Sequence, residues 1–296
     1  MSIHPQETSP AVYAQATIPE AATLSAQWCG AVRLHYDKPD HKTRLYRSWH
    51  QAPLKVQRPF YPESEAICHT VLIHTAGGMV GGDRLTYDVS LEPGARAVVT
   101  TAAASKIYRT LTQATEQNVT LNIAEGACLE WLPQETILFN QAQFKQTLRV
   151  NLGHGASWLG WDIYRLGRTA RGEQFLEGQW RSHSEVWQAG VPLWVDRQRL
   201  QGSPNTVNHP HALGGCPVIG TLVWVGQPVE KSLVEQLRSR WGGTGEMGVS
   251  RIQQGIVCRY RGSSTREVRA WFTQVWNDVR FYALGQTACL PRVWQV

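Results

Sequence analysis

Five carboxylates stand in apolar or aromatic surroundings: Asp83, Glu130, Glu135, Asp162 and Asp196, with Trp131 beside Glu130, Trp161 beside Asp162 and Val195 beside Asp196. Burying an unpaired carboxylate is costly, so such groups are paired, hydrogen-bonded or line a wet channel. The ordinary partner is arginine, which makes up 23 of the 29 basic residues. Imidazole and thiol groups form two further sets. Cys68, His69 and His74 lie within seven residues, but strand alternation puts Cys68 and His74 on one face and His69 on the other. His209 and His211 share a side of an extended segment near Cys216. Neither set has the spacing of a closed structural zinc site, and the second reads as a solvated polar loop. Oxygen and imidazole ligands spread out in this way suit weak contacts along a metal path.

Nucleophile and cofactor motifs are absent. The glycine loop Gly77-Gly-Met-Val-Gly-Gly82 lacks the Gly-Lys-Ser/Thr of a phosphate loop, and a strand follows it where a dinucleotide fingerprint needs a helix. There is no Gly-x-Ser-x-Gly elbow and no His-Glu-x-x-His pair. A non-enzymatic role is the expectation.

The elements that must position these groups are mostly strands. Cys68–His74 is β-branched and apolar, and Leu85, Tyr87, Val89 and Leu91 alternate with polar residues. Between them the glycine loop is either a wide hairpin connection or a device that presents Asp83. From residue 85 to about 165 a weak repeat runs through the chain: an alternating strand, a Gly-Ala turn, then an apolar strand. Its turns are Gly94-Ala95, Gly126-Ala127 and Gly155-Ala156. That spacing fits coils of a β-solenoid or a meander of hairpins. Strand-like segments continue at Gln174–Gly178, Glu185–Trp187, Leu193–Val195 and Thr221–Val225. Helical signals come late. Pro228 opens one stripe that stops at Gly242-Gly243, and Ser264-Thr-Arg-Glu267 is a capping box opening Val268, Trp271, Phe272, Val275, Trp276 and Val279.

At 296 residues, 42% hydrophobic and 18% charged, the chain is globular. Residues 1–25, rich in Pro, Ala, Gln, Thr and Glu, read as a flexible tail, and 26–296 as one β-rich domain. The net charge of +6 is dispersed, which argues against nucleic-acid binding. No secretory signal or membrane span is visible and the six cysteines are scattered, so a cytoplasmic protein with reduced thiols is expected.

Several long strings then carry a resemblance. They are Pro53-Leu-Lys-Val-Gln-Arg-Pro-Phe-Tyr-Pro-Glu63, Gly77-Gly-Met-Val-Gly-Gly-Asp-Arg-Leu85, Thr100-Thr-Ala-Ala-Ala-Ser-Lys-Ile-Tyr-Arg109 and Leu129-Glu-Trp-Leu-Pro-Gln-Glu-Thr-Ile-Leu-Phe139. Gly160-Trp-Asp162, Leu166-Gly-Arg168 and Pro291-Arg-Val-Trp294 join them. From about Trp28 to Trp294 the chain resembles the urease accessory protein D family (UreD, or UreH). One departure is Ala76 where the family usually has proline. The resemblance implies a mainly β fold, a β-helix-like stack with about two α-helices near the C-terminus. It also implies a chaperone subunit that joins accessory protein F and the GTPase accessory protein G, docks on apo-urease and helps insert nickel. By the same resemblance no cofactor is expected to be permanently bound, and nickel is expected in transit through a water-filled channel. By position, Asp83, Asp162 and Asp196 match acidic residues associated with that route. The alternatives are a scaffold bridging protein F and urease, and a β-helical carbohydrate-active enzyme, which the missing export signal disfavours.

Overall fold

The computed structural model describes residues 27–111 and 113–294, so the tail expected at 1–25 lies outside the described residues. The first strands are β1 (Cys29–Asp37), β2 (Arg44–Gln51), β3 (Leu54–Val56), β4 (Cys68–His74), β5 (Arg84–Leu91), β6 (Arg96–Thr101), β7 (Ser105–Ile107), β8 (Thr115–Ile123) and β9 (Cys128–Leu132). After them come β10 (Thr136–Leu138), β11 (Gln143–Leu152), β12 (Ser157–Leu166), β13 (Gln179–Gln188), β14 (Val191–Gln201), α1 (Pro204–Asn208) and β15 (Val218–Val225). The chain then forms α2 (Lys231–Ser239), β16 (Glu246–Ile252), β17 (Gly255–Gly262) and α3 (Thr265–Leu284).

The central strands alternate between two sheets. A seven-stranded sheet has the order β14-β13-β11-β8-β5-β1-β2, and a ten-stranded one runs β16-β17-β15-β12-β9-β6-β4-β3, with β7 and β10 as a side ladder on β12. Neighbours β5, β8, β11 and β13 pair in parallel, as do β4, β6, β9 and β12. The chain therefore winds through a β-solenoid of about four turns. The Gly-Ala turns are its corners. Gly94, Gly126 and Gly155 have φ of 70°, 63° and 64°, a left-handed backbone that glycine adopts at little cost. Each following alanine, 95, 127 and 156, is buried, so a small side chain is what stacks from coil to coil. For the repeat from residue 85 to about 165 the meander of hairpins is excluded, because its alternating strands pair with the next coil and not with each other.

The same topology decides the glycine loop. It is not a hairpin connection: β4 and β5 belong to different sheets, and the loop carries the chain from one to the other. Gln174–Gly178 is a correction as well, since it forms no strand. Phe175 is buried in the core there and Gly178 turns the chain at φ 105°.

Two hydrophobic layers result. One fills the space between the sheets and includes Val32, Leu72, Tyr87, Trp131, Leu148, Trp158 and Trp180. The other lies on the outer face of the ten-stranded sheet, where Leu159, Trp161, Leu222 and Trp224 meet α2 and α3. Helix α3 is capped by Ser264, whose side chain accepts the Glu267 N–H, and it ends at left-handed Gly285. It buries the whole stripe read from the sequence, stabilising by on the order of 10 kcal/mol. The box is half-formed, because the Glu267 carboxylate turns to the Thr244 N–H and the Tyr260 hydroxyl. Helix α2 starts at Lys231, three residues after Pro228, and ends before Gly242. The short helix α1, absent from the expectation, caps on Ser203 within the polar loop. No helix among the described residues is long and apolar enough to cross a membrane.

Candidate functional site

Inward-facing positions of the seven-stranded sheet are mainly apolar, with polar side chains gathered along one line and beside it at Ser184 and Asp196. On β8 they read Thr115, Gln117, Val119, Leu121 and Ile123, and on β11 Phe144, Gln146, Leu148, Val150 and Leu152. Register aligns Gln117, Gln146, Ser182 and Gln198 across β8, β11, β13 and β14. In the ten-stranded sheet a matching row, Asp162, Thr221 and Arg259, crosses β12, β15 and β17. The rows bond to one another through the interior. Gln117 Nε2 donates to Gln146 Oε1 at 3.4 Å, and Gln146 Nε2 to Asp162 Oδ2 at 3.0 Å. Arg259 clamps Asp196 with two bonds of 2.9 and 2.8 Å and donates to Thr221 Oγ1 at 2.7 Å. Gln198 Nε2 completes the set, 2.6 Å from Asp196 Oδ2.

The two aspartates are electrostatically unlike. Asp196 is neutralised by a guanidinium. Asp162, half-buried, has only an amide donor: burial and then the nearby Asp196 charge push its carboxyl up to about 6, against the opposing Gln146 bond. Two residues along β12, burial also pushes the Tyr164 hydroxyl well up. That hydroxyl and the Trp180 indole N–H make no hydrogen bond among the described residues, although their rings pack at 4.5 Å. Buried polar groups of this kind are ordinarily satisfied by water or a ligand. The interior thus contains two neighbouring sets of bonded amides, hydroxyls and carboxylates, with Asp162 lacking a cationic partner.

Asp83 is placed elsewhere. Its two oxygens accept the Trp28 N–H at 3.0 Å and the Val80 N–H at 2.9 Å, and the residue is buried. It ties the glycine loop to the start of β1. Below that loop a cavity of about 160 Å³ is lined by His74, Gly77, Gly78, Tyr87 and Thr101 among others. Burial holds the His74 imidazole below its ordinary value, with the Asp83 charge pulling the other way.

Comparison with known proteins places the chain in a family. The family model described as UreD urease accessory protein matches residues 29–295. A urease accessory protein UreD of Nostoc punctiforme is 58% identical over 273 residues, covering 92% of this chain and 98% of the relative. Those of Acaryochloris marina and Synechocystis are 53% and 46% identical, covering 91% and 85% of this chain and 96% and 94% of theirs. The chain belongs to the UreD family.

In this UreD chain the remaining carboxylates are structural pairs, the ordinary alternative. Glu130, on the outer face of β9, accepts the Trp276 indole N–H at 2.7 Å and lies 3.1 Å from Arg280 Nε. Arg280 also meets Glu63 at 2.8 Å, and Glu63 holds His69 at 2.6 Å. Glu135 pairs with Arg269 of α3. His209 and His211 sit in an exposed loop, where His209 Nδ1 accepts the His211 N–H at 3.2 Å. No group of three His, Cys, Asp or Glu side chains among the described residues could hold a metal ion. Apolar and aromatic sequence neighbours had singled out Asp162 and Asp196 but not the groups around them. Gln117 and Gln146 were detectable as polar interruptions of an inward register; Arg259 and Thr221 carried no such signal.

Proposed function

We propose that this chain is the subunit of a urease-maturation complex, with accessory protein F and the GTPase accessory protein G, that offers nickel a route toward apo-urease. The observation that carries the reading is the pair of opposed polar rows crossing a mainly apolar interior, with Asp162 lacking a cationic partner. Family membership supports the maturation role. Hydrated Ni²⁺ is attracted by the Asp162 carboxylate, ionised above about pH 6, and by the amide and hydroxyl oxygens around it. Oxygen donors without an imidazole or thiolate cage hold a first-row ion weakly, which suits cargo that must leave again. Asp196 is available to the ion when Arg259 gives way. Asp83 serves the route by fixing the glycine loop over the His74-lined cavity, since both of its oxygens already accept backbone N–H groups.

The test is co-expression of urease with the other accessory proteins and nickel, with and without this chain. Loss of urease activity without the chain is expected, and equal activity would overturn the maturation role. Asp162→Ala separates a route from a scaffold. A route loses activation while the complex still assembles; wild-type activation would leave only a bridge between protein F and urease.

A further inference from the structure

The side ladder builds a second feature, on the surface. Parallel pairing aligns Lys106, Ile137 and Arg165 across β7, β10 and β12, while Ile107, Leu138 and Leu166 of the next register point into the core. Two cations therefore flank an apolar residue on one outward face, about 10 Å apart across three strands. One step further along, Tyr108 and Phe139 meet edge-to-face at 4.9 Å, and the Arg168 guanidinium lies 4.6 Å over the Phe139 ring. Exposed Arg109 and Arg171 complete the rim. Two cavities of about 600 and 560 Å³ share Tyr108, Phe139 and Arg168 and so form one groove.

Its charge is one-sided. Lys106, Arg109, Arg165, Arg168 and Arg171 line it, and Glu173, its one lining carboxylate, is bound by Arg168. Among the described residues Lys106, Arg109 and Arg171 form no ion pair, and Arg165 donates only to the Thr169 and Thr265 hydroxyls. Gathering like charges around one groove without counter-charges is unfavourable. The arrangement becomes favourable when an anionic partner fills it.

We infer that this groove docks an acidic, extended segment of a partner protein, with carboxylates on the Lys106, Arg109, Arg165 and Arg171 rim and an apolar side chain on the Ile137–Tyr108–Phe139 floor. The apolar floor favours a peptide over a polyphosphate: an aliphatic or aromatic anchor is what a floor of this kind desolvates. The surface is distinct from the interior polar rows and its test does not involve nickel.

The probe is a fluorescein-labelled peptide of six glutamates around one phenylalanine, titrated into the full chain and followed by anisotropy. Binding should weaken about tenfold or more in the triple variant Lys106→Glu, Arg109→Glu, Arg171→Glu, and should weaken with added salt. A triple of equal charge change on the outer face of the seven-stranded sheet and its edge, Arg47→Glu, Arg181→Glu, Arg199→Glu, should keep binding within about threefold. Urea transitions show that each variant is folded, and the single Arg109→Gln gives a milder loss if the triple does not fold. No binding by the wild type, or equal losses in both triples, would overturn the proposal. Displacement of the peptide by a thymidine oligonucleotide at equal or lower charge concentration would overturn it too, by assigning the groove to polyphosphate.

Discussion

Replacing Asp162 by asparagine should make this protein more stable at neutral pH, by a margin that grows as pH rises from about 4 to 6 and is constant above. Asn keeps the shape and an acceptor for Gln146 Nε2 but removes the charge that the interior does not compensate. The folded carboxyl titrates near 6 instead of 3.8, which corresponds to about 3 kcal/mol at 1.36 kcal/mol per pH unit. Because the side chain is half-buried, solvent lowers this to about 1–3 kcal/mol. The sign follows from proton binding. Between about pH 4 and 6 the folded chain holds this proton and the unfolded chain does not, so wild-type stability falls as pH rises through that window and is flat above it. Urea unfolding of both proteins at pH 4.5 and 7.5 reads the effect. The advantage of the variant should grow by about 1–2 kcal/mol between the two. An equal difference at both values, or a less stable variant at pH 7.5, would show that the carboxyl is not desolvated and would refute the reasoning.

Arg280→Met should destabilise by about 3–5 kcal/mol in urea unfolding, since it leaves buried Glu130 and half-buried Glu63 without their shared guanidinium. Asp83→Ala removes the acceptor of two backbone N–H groups, costing about 1–3 kcal/mol for each; faster hydrogen exchange at the Trp28 and Val80 amides would locate the loss in the glycine loop. Gly78→Ala, at φ 156°, would set a Cβ 2.7 Å from the Lys106 carbonyl oxygen, and a loss of about 2–4 kcal/mol in the same transition is expected. Ser264→Ala should cost about 1 kcal/mol, the usual worth of an N-cap.

What the sequence revealed follows how local each cause is. The Gly-Ala corners were readable because a left-handed turn selects glycine and the stacked position selects a small residue. The face of α3 was readable for the same reason, as Ser264, the six-residue stripe and Gly285 all act within one helix. Pairing between coils is non-local. Strands β4 and β5 flank one loop yet find partners in different sheets, so the loop looked like a hairpin. Phe175 shows the converse, an apolar residue in a strand-like run that fills a gap in the core without pairing. Asp162 and Asp196 each stood out as acids among apolar neighbours, but 34 residues of chain and two sheets separate them. Only the folded stack shows Gln146 beside the one and Arg259 beside the other.

The central claim is that nickel moves along the polar rows between the sheets. The direct measurement is the nickel content of apo-urease after incubation with the assembled accessory complex, built with wild-type chain or with Asp162→Asn and Asp196→Asn together. The account predicts that the variant complex assembles and binds urease as the wild type does, yet delivers far less nickel. Equal nickel loading from both complexes would contradict it.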